Sequence, residues 1–448
     1  MRPKCIVVGA GIAGLSAAVQ LARSQPDTSI EIWEAAEQPG GLLAPIPFCG
    51  IPCDRGSHRV HPSADPLLLE LTEAEDWQRM PRKGRLVLKQ QHIRYPLRLL
   101  PFLRGLGASA TLQMGLGFLF RPNALSRYLN WESDRSQMSN EDEGFESFVI
   151  QRVGSAAYTQ FYKPYVEKVW GLPPSKVSQS VAKQRVSTSS PLQTVLASLR
   201  RDPAKQSPNY FLYPRKGMAA LIDRLRDISQ ELGVSIHYGR RFNPSDLDND
   251  DISAVFYSGH LTDCVPSTPL KHRGLYLLHL SFPQGSIQDD DTYYTPESSY
   301  WFGRVSQLEQ FSPELSTPGK QVLCVEIPEG KWGPNEDFTQ RLDTLRQQLQ
   351  HARILRNNAP ILDSKQTFLP RVYPMYERGW LNHWHDAVAS LQTYPKLFPI
   401  GRQGLFLHCN MDHCVRISHD AVQSYLHHGD ALHWQNQLKQ YLDLRVRD

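Results

Sequence analysis

The sequence lacks the short motifs that mark several common kinds of site. It contains no H-E-x-x-H, EF-hand or P-loop pattern and no cysteines or histidines at zinc spacing, so we expect no metal. Its seven cysteines are odd in number and include no C-x-x-C. We interpret them as reduced thiols of a cytoplasmic protein, with Cys49 and Cys53 as an alternative redox pair.

Charge of one sign is not concentrated anywhere in the chain. The formal net charge is +4 over 448 residues, which argues against a nucleic-acid partner. Residues 99–120 form one long apolar stretch, but it contains Arg104, glycines and a proline. We expect a helical layer lining a substrate cavity there; peripheral membrane contact and a membrane span are the alternatives. Because a strand begins at Cys5, we expect no signal peptide ahead of it.

The first 34 residues carry the strongest pattern in the chain. A short apolar strand ends at Val8, and Gly9, Gly11 and Gly14 follow it as G-x-G-x-x-G. This spacing allows a tight turn, close approach of a pyrophosphate and packing of the next helix on its strand. The helix N-terminus would then face the phosphates. We therefore predict a dinucleotide-binding βαβ unit.

A second strand ends at Glu34, twenty residues after the last of these glycines. A carboxylate at that place accepts hydrogen bonds from ribose hydroxyls and disfavours a 2′-phosphate, so NADP is not expected. The chain then enters a glycine- and proline-rich loop instead of another αβ unit. Gly40 and Gly41 in this loop are placed where backbone could pass close to a pyrophosphate.

The order of these motifs resembles FAD proteins of the amine oxidase, protoporphyrinogen oxidase and UDP-galactopyranose mutase group. The resemblance is carried by Glu34 and the glycine pair, by the D-x-G-x-H of residues 54–58, and by residues 92–99, 145–185, 211–225 and 401–422. It departs from the group where Gln38 and Pro39 replace the usual basic residue before the glycine pair. The resemblance implies FAD as the cofactor.

The resemblance also implies which residues hold the cofactor. The 54–58 loop would lie against the flavin ring, backbone near residue 242 would meet the adenine, and the helix after residue 410 would face the ring with its positive end. The implied FAD-binding residues are Gly9, Gly11, Ile12, Ala13, Gly14, Glu34, Ala35, Gly40, Gly41, Leu42, Gly56, Ser57, His58, Phe242, Gly401, Arg402, Asn410, Met411 and Asp412.

Candidate catalytic residues follow from the same loops. His58 could hydrogen-bond to the flavin or move a proton near neutral pH, with a structural role as the alternative. Trp170 would border the substrate pocket, and Arg185 could clamp an anionic group. Further candidates, each with a structural or surface role as the alternative, are Arg59, His61, Tyr165, Lys168, Arg215, Trp301, Phe302, Arg371, Tyr373 and Tyr376.

We predict an α/β fold with a discontinuous Rossmann-like FAD-binding domain. Residues 1–60, 208–262 and 396–448 would form it, with residues 218–228 as an amphipathic helix. Residues 61–100 and 263–395 would form a substrate domain with a mixed or antiparallel sheet, because about residues 265–390 contain alternating or short apolar runs. Residues 101–207 would form a helical cap.

Three functions remain open from the sequence. The first is an FAD-dependent oxidoreductase that takes a hydride or electrons from a small organic molecule. The second is a non-redox mutase acting on a nucleotide- or lipid-linked sugar, although Phe406 and His408 replace two tyrosines typical of the mutases, and residues 186–190 lack their arginine. The third is a binding protein of the GDP-dissociation-inhibitor type, which Glu34 and the 54–58 loop make less favoured.

Overall fold

A computed structural model describes residues 4–72, 76–95, 113, 144–185, 209–330, 332–333 and 335–446. The helices are α1 Ile12–Ser24, α2 Pro66–Leu71, α3 Gly144–Val153, α4 Ser155–Ala157, α5 Lys163–Trp170, α6 Gln179–Arg185, α7 Met218–Glu231, α8 Leu261–Cys264, α9 Leu342–His351, α10 Trp380–Ser390, α11 Gly401–Gly404, α12 Met411–His428 and α13 Ala431–Gln437. The strands are β1 Lys4–Val8, β2 Ser29–Trp33, β3 Ile46–Phe48, β4 Ile51–Cys53, β5 Trp77–Pro81, β6 Arg85–Leu88, β7 Gln91–Arg94, β8 Tyr210–Pro214, β9 Ser235–His237, β10 Ile252–Tyr257, β11 His272–Pro283, β12 Thr292–Tyr294, β13 Arg304–Gln307, β14 Lys320–Pro328, β15 Asp363–Pro374 and β16 Leu397–Pro399.

Five parallel strands form the first sheet, in the order β16-β10-β1-β2-β9. The central strand β1 is buried on both faces, which suits its unbroken apolar sequence. Three separate parts of the chain therefore meet in this sheet. The α/β architecture predicted from the glycine pattern is confirmed at this level, while the assignment of domain boundaries stays a prediction.

The second sheet has seven strands in the order β15-β11-β14-β13-β12-β6-β7. Its pairs are antiparallel except for β12 with β6, which is parallel. The apolar runs of residues 265–390 supply most of it, and β6 and β7 come from residues 85–94. The predicted mixed sheet is confirmed, and β11 lies buried along almost its whole length.

Helix α7 buries the apolar face that the sequence pattern predicts. Met218, Leu221, Ile222, Leu225 and Ile228 of α7 are all buried, as their helical spacing requires. Helix α12 crosses α1, and the Ser418 hydroxyl donates to the Ala13 carbonyl at 2.9 Å. These contacts hold the N-termini of α1 and α12 on the same side of the molecule.

The predicted cap and the long apolar stretch fall largely outside the described residues. This applies to the prediction for residues 99–120 and to most of the predicted cap. The described part, residues 144–185, is helical, with a π-helical turn at Tyr158–Tyr162 between α4 and α5. Among the described residues, no helix combines the length and apolar character needed to cross a bilayer.

Candidate functional site

A cavity of about 960 Å³ lies between the two sheets. Residues at the N-termini of α1 and α12 line it, together with the 54–59 loop and the turn after β2. The volume is at the upper end of the range usual for small-molecule and cofactor sites. Two parts of its wall differ in construction: a glycine end (Gly9, Gly11, Gly40, Gly41) and an arginine end (Arg59, Arg304, Arg402).

The glycine end is built by close backbone packing. A Cβ on Gly14 would lie 1.9 Å from the Gly9 carbonyl oxygen, so only glycine allows α1 to start this close to β1. The Gly40 N–H donates to the Ala10 carbonyl at 2.8 Å, which lays the glycine pair over the start of α1. Gly40 has a φ of 120°, a conformation that other residues rarely adopt.

The Glu34 carboxylate closes this end. It accepts hydrogen bonds from the Ala10 N–H at 2.7 Å and the Ala36 N–H at 2.8 Å, so its position is fixed by backbone. Arg55 reaches the same region, where its Nη1 donates to the Gly41 carbonyl at 3.0 Å. The buried Nε of Arg55 has no hydrogen-bond partner in the part of the chain that the structure describes.

Charged side chains build the arginine end. Arg304 on β13 pairs with Glu326 on β14 through Nε–Oε1 at 2.6 Å and Nη2–Oε2 at 2.8 Å. Arg59 pairs with Asp291, which is fully buried, and also donates to the Tyr294 hydroxyl. Arg402 reaches the His408 ring at 3.3 Å, and its Nε lacks a hydrogen-bond partner among the described residues.

His58 lies beside these guanidinium groups. Burial, followed by the charges of Arg304, Arg402 and Arg55, lowers the pKa of His58 to about 3. The imidazole is therefore neutral near pH 7. Its buried Nδ1 has no partner among the described residues, so it is available to a ligand in the cavity.

The structure brings most of the predicted cofactor residues together around one cavity. All of them line it except Gly14, Gly56 and Asp412. Gly14 lies behind the wall at the α1–β1 contact, and Gly56 packs against the Glu326 carboxylate. Asp412 is buried and accepts a hydrogen bond from the Asp65 backbone N–H, so its carboxylate stabilises the local fold.

Trp170 does not line the cavity. Its side chain is 2% exposed and packs edge-on against His408, which itself lies in the wall. Lys168 also points elsewhere, since its Nζ donates to the carbonyls of Thr295, Glu297 and Phe302. Tyr165 and Val169 are the members of this segment that line the cavity. Arg185 ends α6, and its side chain lies outside the described atoms.

The other candidate side chains also divide into those that line the cavity and those that do not. Arg371 and Tyr373 line the cavity, with Arg371 also paired to Asp263. Tyr376 is buried behind them, and its hydroxyl accepts a hydrogen bond from the His408 N–H. The candidates that lie outside the cavity lining are His61, Arg215, Trp301 and Phe302.

The Arg304–Glu326 pair is the main part of the site that sequence reasoning missed. The two residues lie directly opposite each other on neighbouring antiparallel strands. Their strands were predicted, but the register between them depends on pairing that a single sequence does not reveal. Arg55 was also missed, although it directly precedes the predicted Gly56 loop. Among the described residues, no group of three or more potential ligands could hold a metal ion.

Comparison with known proteins identifies the family. A family model described as flavin-containing amine oxidoreductase matches residues 12–257. The chain belongs to this family. The resemblance found in the sequence is confirmed, and the cofactor is FAD.

Individual relatives of this flavoprotein come from two groups. Chloroplast protoporphyrinogen oxidase 1 of Arabidopsis thaliana is 27% identical over 40% of this chain and 32% of its own length. A protein of Klebsiella pneumoniae named a probable UDP-galactopyranose mutase is 29% identical over 27% of this chain and 28% of its own. The chain thus spans less than a third of either curated relative.

A crystal structure of reduced UDP-galactopyranose mutase superposes on the flavoprotein with a TM-score of 0.78. The match covers 95% of this chain and 94% of that chain at 17% identity, which shows a shared fold. The cavity fits FAD on its own features. It joins a glycine cradle to two helix N-termini and leaves buried polar atoms of Arg55 and His58 available among the described residues.

Proposed function

We propose that the protein is an FAD-dependent oxidoreductase acting on an anionic small organic molecule bound at the arginine end of the cavity. The observation that carries this proposal is the charge of the cavity wall. Seven arginines line it, namely residues 55, 59, 240, 241, 304, 371 and 402. Three carboxylates lie in the same lining, those of Glu34, Asp263 and Glu326, and two more behind it, Asp291 and Glu31, pair with Arg59 and Arg240. The FAD pyrophosphate accounts for part of this excess, and an anionic substrate for the rest.

FAD supplies the acceptor for a hydride or an electron pair, and this chain supplies position and electrostatics. We assign the pyrophosphate to the glycine end, with Arg55 in place of the basic residue missing at Gln38. Glu34 would hold the ribose. The N-terminus of α12 would stabilise negative charge on the ring.

Arg402 is the candidate anchor for the substrate anion. No described carboxylate lies within salt-bridge distance of it, whereas Arg59 and Arg304 are neutralised by Asp291 and Glu326. His58 would accept a hydrogen bond, since its imidazole is neutral and the pKa of about 3 keeps it unprotonated near pH 7. The buried aromatic and apolar residues behind the wall exclude water from this end.

The test is anaerobic mixing of the yellow holoprotein with a panel of carboxylated, phosphorylated and neutral substrates. Loss of the visible flavin absorbance only with anionic members supports the proposal. An Arg402→Leu variant should retain FAD but lose this reduction, while Arg215→Leu, which removes an exposed arginine outside the cavity lining, should keep it. A protein that purifies colourless and takes up no FAD would contradict the proposal and favour a binding protein.

A mutase acting on a nucleotide- or lipid-linked sugar is the second candidate. The TM-score of 0.78 with reduced UDP-galactopyranose mutase supports its consideration. Such an enzyme would isomerise its substrate only after the flavin is reduced with dithionite, and it would show no net consumption of reductant. Product analysis by NMR under both conditions distinguishes the two functions.

A further inference from the structure

Two buried cysteines lie side by side in the cavity wall, and the proposed reaction uses neither of them. The Sγ atoms of Cys409 and Cys414 are 3.5 Å apart. The residues are 5% and 6% exposed, and both contribute to the cavity lining. A disulfide needs a separation of about 2.05 Å, so the sulfurs must approach each other by only about 1.5 Å.

Their place in the fold gives the two thiols different properties. Cys409 precedes the N-cap of α12, and Cys414 lies in its first turns, where its N–H donates to the Asn410 carbonyl. The hydrogen bond from Cys409, the Arg402 backbone N–H and the Arg402 guanidinium lower the pKa of Cys414. The same contact with Cys414, followed by burial, raises the pKa of Cys409.

We propose that Cys409 and Cys414 form a redox-active dithiol that a small-molecule disulfide entering the cavity converts to an intramolecular disulfide. The Cys414 thiolate attacks one sulfur of the oxidant, forms a mixed disulfide and releases one thiol. The Cys409 thiol then loses its proton and attacks the Cys414 sulfur, which releases the second thiol. The two cysteines lose two electrons and two protons, and the oxidant gains both.

The pair flanks residues that belong to the cofactor site. Asn410 and Met411 lie between the two cysteines and line the cavity at the start of α12. Closing the disulfide therefore changes a segment of the wall. This short stretch of chain therefore links the oxidation state of the dithiol to the shape of the cavity wall.

Cys49 and Cys53 provide the contrast within the same protein. They are the pair that the sequence suggests; Cys49 lies in the turn that joins β3 to β4, and Cys53 is the last residue of β4. Burial, followed by the Asp54 charge, raises the pKa of Cys53 to about 12, which keeps it a protonated thiol. We expect this pair to stay reduced under conditions that oxidise Cys409 and Cys414.

The experiment treats the holoprotein and the FAD-free protein with glutathione disulfide at increasing ratios to glutathione. Acid quenching, alkylation with N-ethylmaleimide, intact mass measurement and peptide mapping follow. We expect one disulfide that joins Cys409 to Cys414, with a mass loss of about 2 Da that dithiothreitol reverses. Cys409→Ser should instead trap one glutathione on Cys414, and Cys49→Ser should leave the result unchanged.

The modification found on Cys409 and Cys414 decides whether the proposal holds. A Cys409–Cys414 disulfide in either form of the protein supports it. Separate alkylation of both cysteines at every ratio in both forms overturns it, as does stable glutathione on Cys414 of the wild-type chain. Because the flavin absorbance reports FAD binding independently of the peptide map, failure of this inference and failure of the proposed function give different results.

Discussion

The two ends of the cavity are built in different ways. At the glycine end, the chain approaches a ligand through backbone atoms, and the limiting quantity is space, since a Cβ on Gly14 or Gly40 would overlap backbone. At the arginine end, side chains form the wall, and the limiting quantity is charge balance, since Arg304 and Arg59 each face a buried carboxylate. The glycine end therefore suits a cofactor that a whole family shares, whereas single substitutions can alter the arginine end.

This difference predicts two kinds of sensitivity. Substitutions of the glycines at the glycine end should act through volume and remove the cofactor. Substitutions at the arginine end should act through charge, and their effect should depend on whether the partner is changed as well. The four predictions below test this contrast, in order of decreasing effect.

Gly14→Ala should have the largest effect. Its Cβ would lie 1.9 Å from the Gly9 carbonyl oxygen, so α1 must move away from β1. We expect a loss of about 4 kcal/mol in the free energy of unfolding and no bound flavin. Gly333→Ala is the matched control, because nothing lies within 4 Å of its Cβ position. If the Gly14→Ala protein is yellow and as stable as the wild type, volume does not control the glycine end.

Glu326→Leu should come next, because it leaves the Arg304 guanidinium without its carboxylate. We expect a loss of about 3 kcal/mol in the free energy of unfolding, measured by urea denaturation. The double variant Arg304→Met with Glu326→Leu should recover most of this loss, since no charge is then left unpaired. Equal stability of the single and the double variant would show that charge balance does not control this end.

Glu34→Gln should weaken FAD binding about tenfold without unfolding the protein. The carboxylate accepts backbone N–H groups through both of its oxygens, and an amide replaces one acceptor by a donor. The FAD dissociation constant, measured by quenching of flavin fluorescence, is the readout. Glu37→Gln, at an exposed neighbouring carboxylate, is the control and should bind FAD like the wild type.

Asp54→Asn should show the smallest effect, as a change in pH dependence. Asp54 is buried and accepts a hydrogen bond from the Tyr213 hydroxyl, and burial raises the pKa of its carboxyl to about 7. The native protein keeps this proton while the unfolded chain loses it above about pH 4, so the contribution of Asp54 to wild-type stability should fall between about pH 4 and 7.

The asparagine variant should lack that fall, and its stability relative to the wild type should therefore rise over this interval. Urea denaturation at a series of pH values measures the difference. Asp386→Asn, at an exposed position, is the control for the substitution itself. A constant difference between Asp54→Asn and the wild type across the interval would contradict the assignment.

The sequence predicts the glycine end much better than the arginine end. Gly9, Gly11 and Glu34 lie within one βαβ unit, so local spacing determines where they meet. The partners at the arginine end come from β13, β14 and the turn before α12, which are joined only by tertiary pairing. Arg304 and Glu326 could not be matched without the strand register, and the burial of Trp170 behind His408 could not be inferred from its aromatic neighbours.

The position of β10 and β16 in the parallel sheet also bears on how the protein is made. Val8 pairs with Tyr257, and Tyr257 with Pro399, so the sheet draws on segments that are synthesised far apart in time. During translation, β1 and β2 leave the ribosome well before β10 and β16. Their apolar edges therefore stay exposed until those strands have been made. We expect the newly made chain to depend on chaperones until β16 has left the ribosome.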